Sequence, residues 1–395
     1  MEPLHIAFVL VVAMVVWAMS IAWRHLQSLP RLRPDLKFDG SKEKAIGPMM
    51  MPGTNITPLP DFDWKTTPPL KLRPFKPTYN ITMALQNSTP SSLILLDTNY
   101  LTRITARRAL LSTHPRTVLG VLRPRGHAPV HELYTYLLGT YLPARYPTLF
   151  QVTTSRDPST APHTIRVGFR NGVTGRTAPL YPGLEGAEEM LGVLGETVED
   201  DLFLLLPDGG GDGEGDGKGG AHRLVAFVCC HPAGFDPAEK LGKRLAEVHG
   251  PVPGYEKIGA SMERYFARLQ VGKCVKRVNW SIQTHPRLFA PSGNHVHPGE
   301  EVEEEAEIDI EKTRFRVELQ SLMRLPKTGA ILFSFKTYMY SLNEIKEEGL
   351  GPELADAIEG LKAGNAPGMW MYKGGVRWGK AACEYLRAGE EPTRG

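Results

Sequence analysis

His249 closes the stretch "DPAEKLGKRLAEVHGPVPGYEKI" (236–258), immediately before a Gly-Pro-Val-Pro-Gly stop. An imidazole at a helix C-terminus can act as a cation that interacts with the helix dipole and the last carbonyls. It can also act as a neutral ligand to a metal or haem iron, held on a rigid element beside a fixed turn. These residues alone leave both readings open. A second group lies in "RFRVELQ" (314–320), where Phe315, Val317 and Leu319 alternate with Arg314, Arg316, Glu318 and Gln320. The polar side either faces solvent on an edge hairpin or lines a cavity. In a cavity, Glu318 could orient an amine or relay a proton, and an arginine could hold a carboxylate or a haem propionate. A third group is "HVH", with His295 and His297 on the same side of an extended segment, where they could contribute to a metal site.

Other chemistries find no support. The chain lacks a G-x-S-x-G elbow, an H-E-x-x-H helix, a Walker loop and a G-x-G-x-x-G turn after a strand. The glycine tract at 209–220 carries aspartates and a glutamate that would repel a phosphate. Cys229, Cys230, Cys274 and Cys383 are too few and too irregularly spaced for a disulfide framework or a zinc motif. Cys229 and Cys230 read as buried structural thiols rather than haem ligands.

These residues need elements to position them. Asp236 as N-cap, Pro237 at the first helical position and Glu239 in capping-box spacing start a helix. Leu241, Leu245 and Val248 mark its apolar face, and Gly250 with Pro251 and Pro253 ends it. A second helix with Ile258, Met262, Tyr265, Phe266 and Leu269 on one side completes an αα-hairpin about "HGPVPG". Helices are also predicted at 102–112, 130–142 and 184–201. Strands are predicted at 201–206, 222–230 and 276–282, the last with Val278, Trp280 and Ile282 on one side, and at 314–340 as two strands about the turn "PKTG". An acidic loop spans 300–311, and no internal repeat is present. The fold class is α+β, an antiparallel sheet with helices packed on one face.

The chain has 395 residues and balances 46 basic against 43 acidic ones, for a net charge of +3. That balance gives no reason to expect a nucleic-acid partner. Residues 6–23 carry no charge and are long enough for a transmembrane helix, and the arginines and lysines follow this run rather than precede it. The positive-inside rule then places the N-terminus outside and the body of the protein in the cytosol, at an endomembrane. A proline-rich basic tether (24–61) leads to a domain at 62–342 and a C-terminal helical extension at 343–395.

The motifs "FKPTYNITMAL", "RALL", "YLPARYPTLF", "AEKLGKRLAEVHGPVPGY", "VNWSI" and "RVELQSLMRLPKTGAILFSFKTYM", in that order, resemble the haem-dependent oxidative N-demethylase alpha-subunit-like family, in its membrane-anchored fungal branch. The resemblance runs from about Phe62 to about Leu342. It implies a PAS-like haem domain with an antiparallel sheet and flanking helices. Bacterial members use oxygen and reducing equivalents to remove a methyl group from a secondary amine as formaldehyde. They also have a flavin and iron–sulfur reductase module that this chain lacks, so an external reductase using NAD(P)H is implied. The family pattern I-H-x-P-V-P-G falls on Val248 to Gly254 and makes His249 the proximal haem ligand. The pattern R-x-E-R-Q falls on Arg316, Glu318 and Gln320, with Leu319 in place of the second arginine. By the same resemblance Glu318 belongs to the substrate pocket, Arg316 neutralises charge, and Asn279 and Trp280 form part of the haem wall. The expected function is that of a membrane-tethered haem-dependent oxygenase acting on a small amine. A haem sensor or redox protein, or a haem-free interaction protein of the same fold, is the alternative.

Overall fold

The alternation from Arg314 to Arg324 builds one of the two longest strands of the fold, and both its faces are buried. This computed structural model describes residues 44–46, 55–156, 165–183, 186–208, 221–297, 299–302 and 308–389. Its strands are β1 (Lys44–Ile46), β2 (Gln86–Ser88), β3 (Leu119–Val121), β4 (Phe150–Arg156), β5 (Ile165–Asn171), β6 (Thr177–Pro179), β7 (Asp201–Pro207), β8 (His222–Val228), β9 (Cys274–Gln283), β10 (Arg314–Arg324) and β11 (Ile331–Ser341). Seven of them form an antiparallel sheet in the order β2-β9-β10-β11-β7-β8-β3. The other four form a smaller antiparallel sheet, β1-β4-β5-β6. β10 therefore lies inside the large sheet, between β9 and β11, and not at an edge.

The helices used below are α1 (Tyr100–Thr113), α2 (His127–Tyr136), α3 (Ala187–Gly195), α4 (Leu245–Val248), α5 (Gly259–Arg268), α6 (Leu342–Glu347), α7 (Gly351–Glu359), α8 (Met369–Tyr372) and α9 (Gly375–Arg387). Buried positions Tyr100, Ile104, Arg107 and Leu111 recur along one side of α1, as a helix covering a sheet requires. Because side chains alternate along a strand, β10 presents Phe315, Val317 and Met323 to one side of the sheet. There Met323, Leu202 and Leu204 pack with Ile104, Val130, Leu133 and Leu191 from α1 to α3. Farther along the same side, Trp280, Phe315, Val317 and Tyr340 pack with Leu354, Ile358, Trp378 and Leu386 from α7 and α9. A buried polar belt separates the two clusters: Lys336 Nζ lies 2.7 Å from Asp97 and 2.9 Å from Glu199, and the Ser334 hydroxyl donates to Asp200.

On the opposite side, Leu322, Val275 and Leu205 meet Leu245, Met262, Phe266 and Leu269 of α4, α5 and the turn after it. Helices thus cover both faces of the sheet, where one covered face was expected. The reason lies in β10 and β11, whose alternate residues are apolar or enclosed on both sides.

The predicted long helix at 236–249 is replaced by two short turns, a 3-10 turn at Ala238–Lys240 and the single α-turn α4. The N-cap of the first is Pro237 rather than Asp236, which precedes it and accepts from Ala238 N–H at 2.8 Å. Gly242 then adopts φ +77, which breaks the helix, and its N–H donates to the Leu224 carbonyl while Leu224 N–H donates to the Lys243 carbonyl. An added bridge to β8, between Arg223 and Arg244, captures backbone groups that a continuous helix would have used. The expected αα-hairpin therefore reduces to α5 preceded by one turn.

The predicted membrane-spanning stretch 6–23 lies outside the described residues, as does most of the tether 24–61. Among the described residues no helix is long and apolar enough to cross a membrane. The end of the tether is bound to the domain: Leu59 N–H donates to the Arg145 carbonyl at 2.8 Å, Thr57 N–H donates to the Ser91 hydroxyl, and Ile56 and Leu59 pack on the core. Of the acidic loop, residues 303–307 also lie outside the described residues.

Candidate functional site

On its second face the large sheet carries a row of polar residues, fixed by register. Asn279 of β9 lies opposite Glu318 of β10, Arg277 opposite Gln320, and Ser281 opposite Arg316. Most of this row opens into a cavity of about 300 Å³ between the sheet, α4, α5 and α8. Phe203, Leu205, Leu322, Phe333 and Phe335 form its apolar floor. His249, Tyr255 and Val252 line one wall; Tyr372 and Lys373 line another.

His249 N–H caps α4 on the Leu245 carbonyl at 3.0 Å, and its ring Nδ1 lies 2.8 Å from the same carbonyl oxygen. A carbonyl only accepts, so Nδ1 carries the proton and Nε2 keeps its lone pair. Burial holds the imidazole below its ordinary pKa of 6.5, partly offset by the Leu245 carbonyl, with the Arg277 charge lowering it further. The ring stacks on Tyr255, centroids 4.7 Å apart. The result is a neutral imidazole with a fixed tautomer, the state that ligates iron.

Glu318 sits in the polar row with its carboxylate held by neighbours. Gln320 Nε2 donates to it at 3.0 Å and Asn279 Nδ2 at 3.4 Å. Asn279 also links this carboxylate to Lys373, whose ammonium donates to Asn279 Oδ1 at 3.3 Å and to the Trp280 carbonyl. Burial lowers the Lys373 pKa to about 8, against a raising effect of Glu318. His295 stacks on Tyr372 at 4.4 Å, and burial with the nearby Lys373 charge pushes its pKa down to about 3. His297 is exposed and does not join it. Among the described residues no cluster of three or more His, Cys, Asp or Glu side chains is placed to hold a bare metal ion.

The structure thus brings His249, Asn279 and Glu318 into one cavity and separates the other two candidates from it. Arg316 is fully buried, its two Nη groups donating to the carbonyls of His231 at 2.5 Å and Leu288 at 3.1 Å, while Nε has no acceptor and lies 4.0 Å from Glu318. Trp280 lies on the other side of β9, with its ring 5.7 Å from Phe315. Leu319 also faces that side and packs with the same cluster, so the departure from the family pattern does not touch the cavity. Sequence reasoning missed Arg277, Tyr372 and Lys373. For Arg277 a signal existed: if Val278, Trp280 and Ile282 share one side of β9, then Arg277 shares the other with Asn279. Nothing in the local sequence marks Lys373.

Fold and site define an α+β domain that encloses one histidine-bearing ligand cavity behind a large antiparallel sheet. Residues 84–383 match the model of the haem-dependent oxidative N-demethylase, alpha subunit-like family, and the chain belongs to that family. The matched segment includes α6 to α8 and most of α9. The donor set fits a haem: one neutral imidazole with a free Nε2, apolar side chains for the macrocycle, and the cations Arg277 and Lys373 for its carboxylates.

Proposed function

We propose that this protein is a haem-dependent oxygenase that removes the methyl group of an N-methyl amine as formaldehyde. The observation that carries this reading is the placement of His249, with Nδ1 tied to the Leu245 carbonyl, in the same cavity as Glu318. When bound, the haem supplies the dioxygen and one-electron chemistry. One oxygen atom of dioxygen ends in formaldehyde and the other in water, which requires an electron pair and two protons from outside the substrate. A separate reductase of flavin and iron–sulfur type, drawing on NAD(P)H, is the proposed electron source.

The chain's own residues bind and orient. His249 would ligate the iron through Nε2. Glu318 would hold the substrate ammonium, with Gln320 and Asn279 keeping the carboxylate in place. Phe203, Phe333, Phe335 and Leu322 would receive the methyl group and exclude water. The reading extends to a single-pass anchor at residues 6–23 with the domain on the cytosolic side, which the uncharged run and the basic residues after it support. Protease protection of the domain inside sealed microsomes would overturn that orientation.

The decisive experiment is an absorption spectrum of the full chain produced with haem precursor, for the intact protein and His249→Ala. A Soret band that shifts or disappears in the variant is the expected result, followed by formaldehyde release from dimethylamine with a reductase. A folded intact protein that takes up no haem would overturn the reading.

A further inference from the structure

Among the described residues most enclosed cations have partners; the side chains of Arg103 and Arg277 do not, and of these two only Arg277 lines the cavity. Arg107 pairs with Asp201, Lys336 with Asp97 and Glu199, Arg316 donates to two carbonyls, and Lys373 to Trp280 and Asn279. Arg277 has no hydrogen bond and no ion pair among the described residues, and its Nε is buried without any acceptor. Arg277 lines the cavity. Enclosure lowers its pKa, only partly countered by Tyr79 and Glu318, so the protein bears the cost of a desolvated guanidinium. Such a cost is retained where a ligand removes it.

The ligand chemistry follows from geometry. A guanidinium presents parallel N–H donors that fit a planar carboxylate with two bonds. Arg277 lies two residues along β9 from Asn279, the cross-strand partner of Glu318, and so projects from the same sheet face. Diagonal neighbours of this kind lie about 7–8 Å apart, somewhat less at Cβ, and no ion pair joins Arg277 and Glu318. Within the cavity Glu318 thus stands in the middle of the polar row and Arg277 at its end, so that one small molecule can reach both.

We infer that Arg277 is the carboxylate receptor of the cavity, so that the ligand bound there carries an acid group within reach of Glu318. The acid has two possible sources: a haem propionate, or a carboxylate on the substrate, which would make the substrate an N-methyl amino acid rather than a simple amine. The choice of source rests on the haem and amine reading above; the presence of an acid does not.

The test compares the full-length protein with Arg277→Gln and Arg277→Lys. In one arm, metal-free protoporphyrin IX and its dimethyl ester are titrated by fluorescence, beside haemin and its dimethyl ester by absorption. In the other, N-methylglycine and dimethylamine are titrated, read by thermal shift and by the haem spectrum. Loss of a charge-assisted pair predicts a roughly 10–100-fold weakening for the acid form in Arg277→Gln, none for the ester or the plain amine, and partial recovery in Arg277→Lys. Acid dependence in the porphyrin arm assigns the propionate; acid dependence in the small-molecule arm assigns the amino acid. Without ligand, Arg277→Gln should melt higher than the intact protein, which a merely structural arginine would not do. The inference is overturned if acid and neutral forms weaken alike, if neither weakens, or if nothing carrying a carboxylate binds. Failure of the haem reading gives a different pattern: haemin then binds no better than the metal-free porphyrin and does not respond to His249→Ala.

Discussion

His249 and Tyr255 lie ring on ring across the Gly-Pro turn, centroids 4.7 Å apart and planes 3° from parallel. Leu245 holds the edge of the imidazole and Tyr255 its face, so rotation or tilting of the ring would break one of these contacts. Gly254 makes this possible: its φ of +78 turns the chain back, and a Cβ there would meet Ala366 and Ile81 at 3.1 Å. Removing the stacked ring should loosen the ligand without removing it. Tyr255→Leu is expected to weaken haem affinity roughly 10-fold, and His249→Ala to shift or remove the Soret band of the protein-bound haem. Because burial lowers the His249 pKa, the neutral ligand should persist below the ordinary 6.5 and haem should leave only at more acid pH. Haem titrations between pH 5 and 8 check both points, and a release midpoint at or above 6.5 contradicts the assignment.

Glu318→Gln should leave haem uptake intact and weaken N-methyl amine binding at least roughly 10-fold. The intact protein should also show a pH dependence set by Lys373, whose pKa lies near 8. Below that value its cation opposes a bound ammonium; as pH rises through 8 the charge is lost and amine affinity increases, until the amine itself deprotonates. Spectral titration of dimethylamine from pH 6.5 to 9.5 measures this rise, and Lys373→Met should flatten it. A rise that survives the substitution would exclude Lys373 as its origin.

Asp200 gives a stability prediction. Burial raises its pKa from 3.8 to about 7, against the lowering effect of Lys336, and its Oδ2 has no partner. Between those values the folded state binds more protons than the unfolded one, so this group makes stability fall as pH rises from about 4 to 7. Asp200→Asn keeps an acceptor for the Ser334 hydroxyl and should remove that component of the slope. Denaturant midpoints at several pH values test it; an unchanged slope would be inconsistent with this assignment.

Arg107 is completely buried, donating to the carbonyls of Gly195, Glu199 and Asp200 and lying 2.5 Å from Asp201. Asp201 in turn accepts from the N–H groups of Cys230 and His231. Arg107→Met should cost about 3–5 kcal/mol, the effect of leaving a buried charge without its partner. Urea unfolding measures it, and a loss below about 1 kcal/mol would show that the pair contributes little.

How much of this was legible depends on whether local pattern or distant packing decides. β10 and β11 could be read because strict alternation leaves one pairing register that buries both sides. The helix at 236–249 could not, since its capping and spacing were sound and a backbone bridge to β8 overrode them. The smaller sheet was missed although β5 alternates Ile165, Val167 and Phe169 with Arg166, Gly168 and Arg170; its outer strands β1 and β6 are only three residues long and give no pattern. In the site, His249 stood out by its turn and Glu318 by its strand. Arg316 shared that strand face with Glu318, but only packing reveals that its two Nη groups donate to the carbonyls of His231 and Leu288, which leaves Nε without an acceptor. Lys373 becomes polar machinery only because α8 brings it against β9.

The cavity collects residues from Tyr79 to Lys373, and its last wall comes from α8, which follows all the described strands. Synthesis runs from the N-terminus, so the sheet can pair while Tyr372 and Lys373 are still inside the ribosome. Until they emerge, the pocket is an open trough in which Glu318 and Arg277 are hydrated and unselective. A chain arrested before α8 would therefore lack both this wall of the cavity and α9, whose Trp378 and Leu386 cover the other face of the sheet.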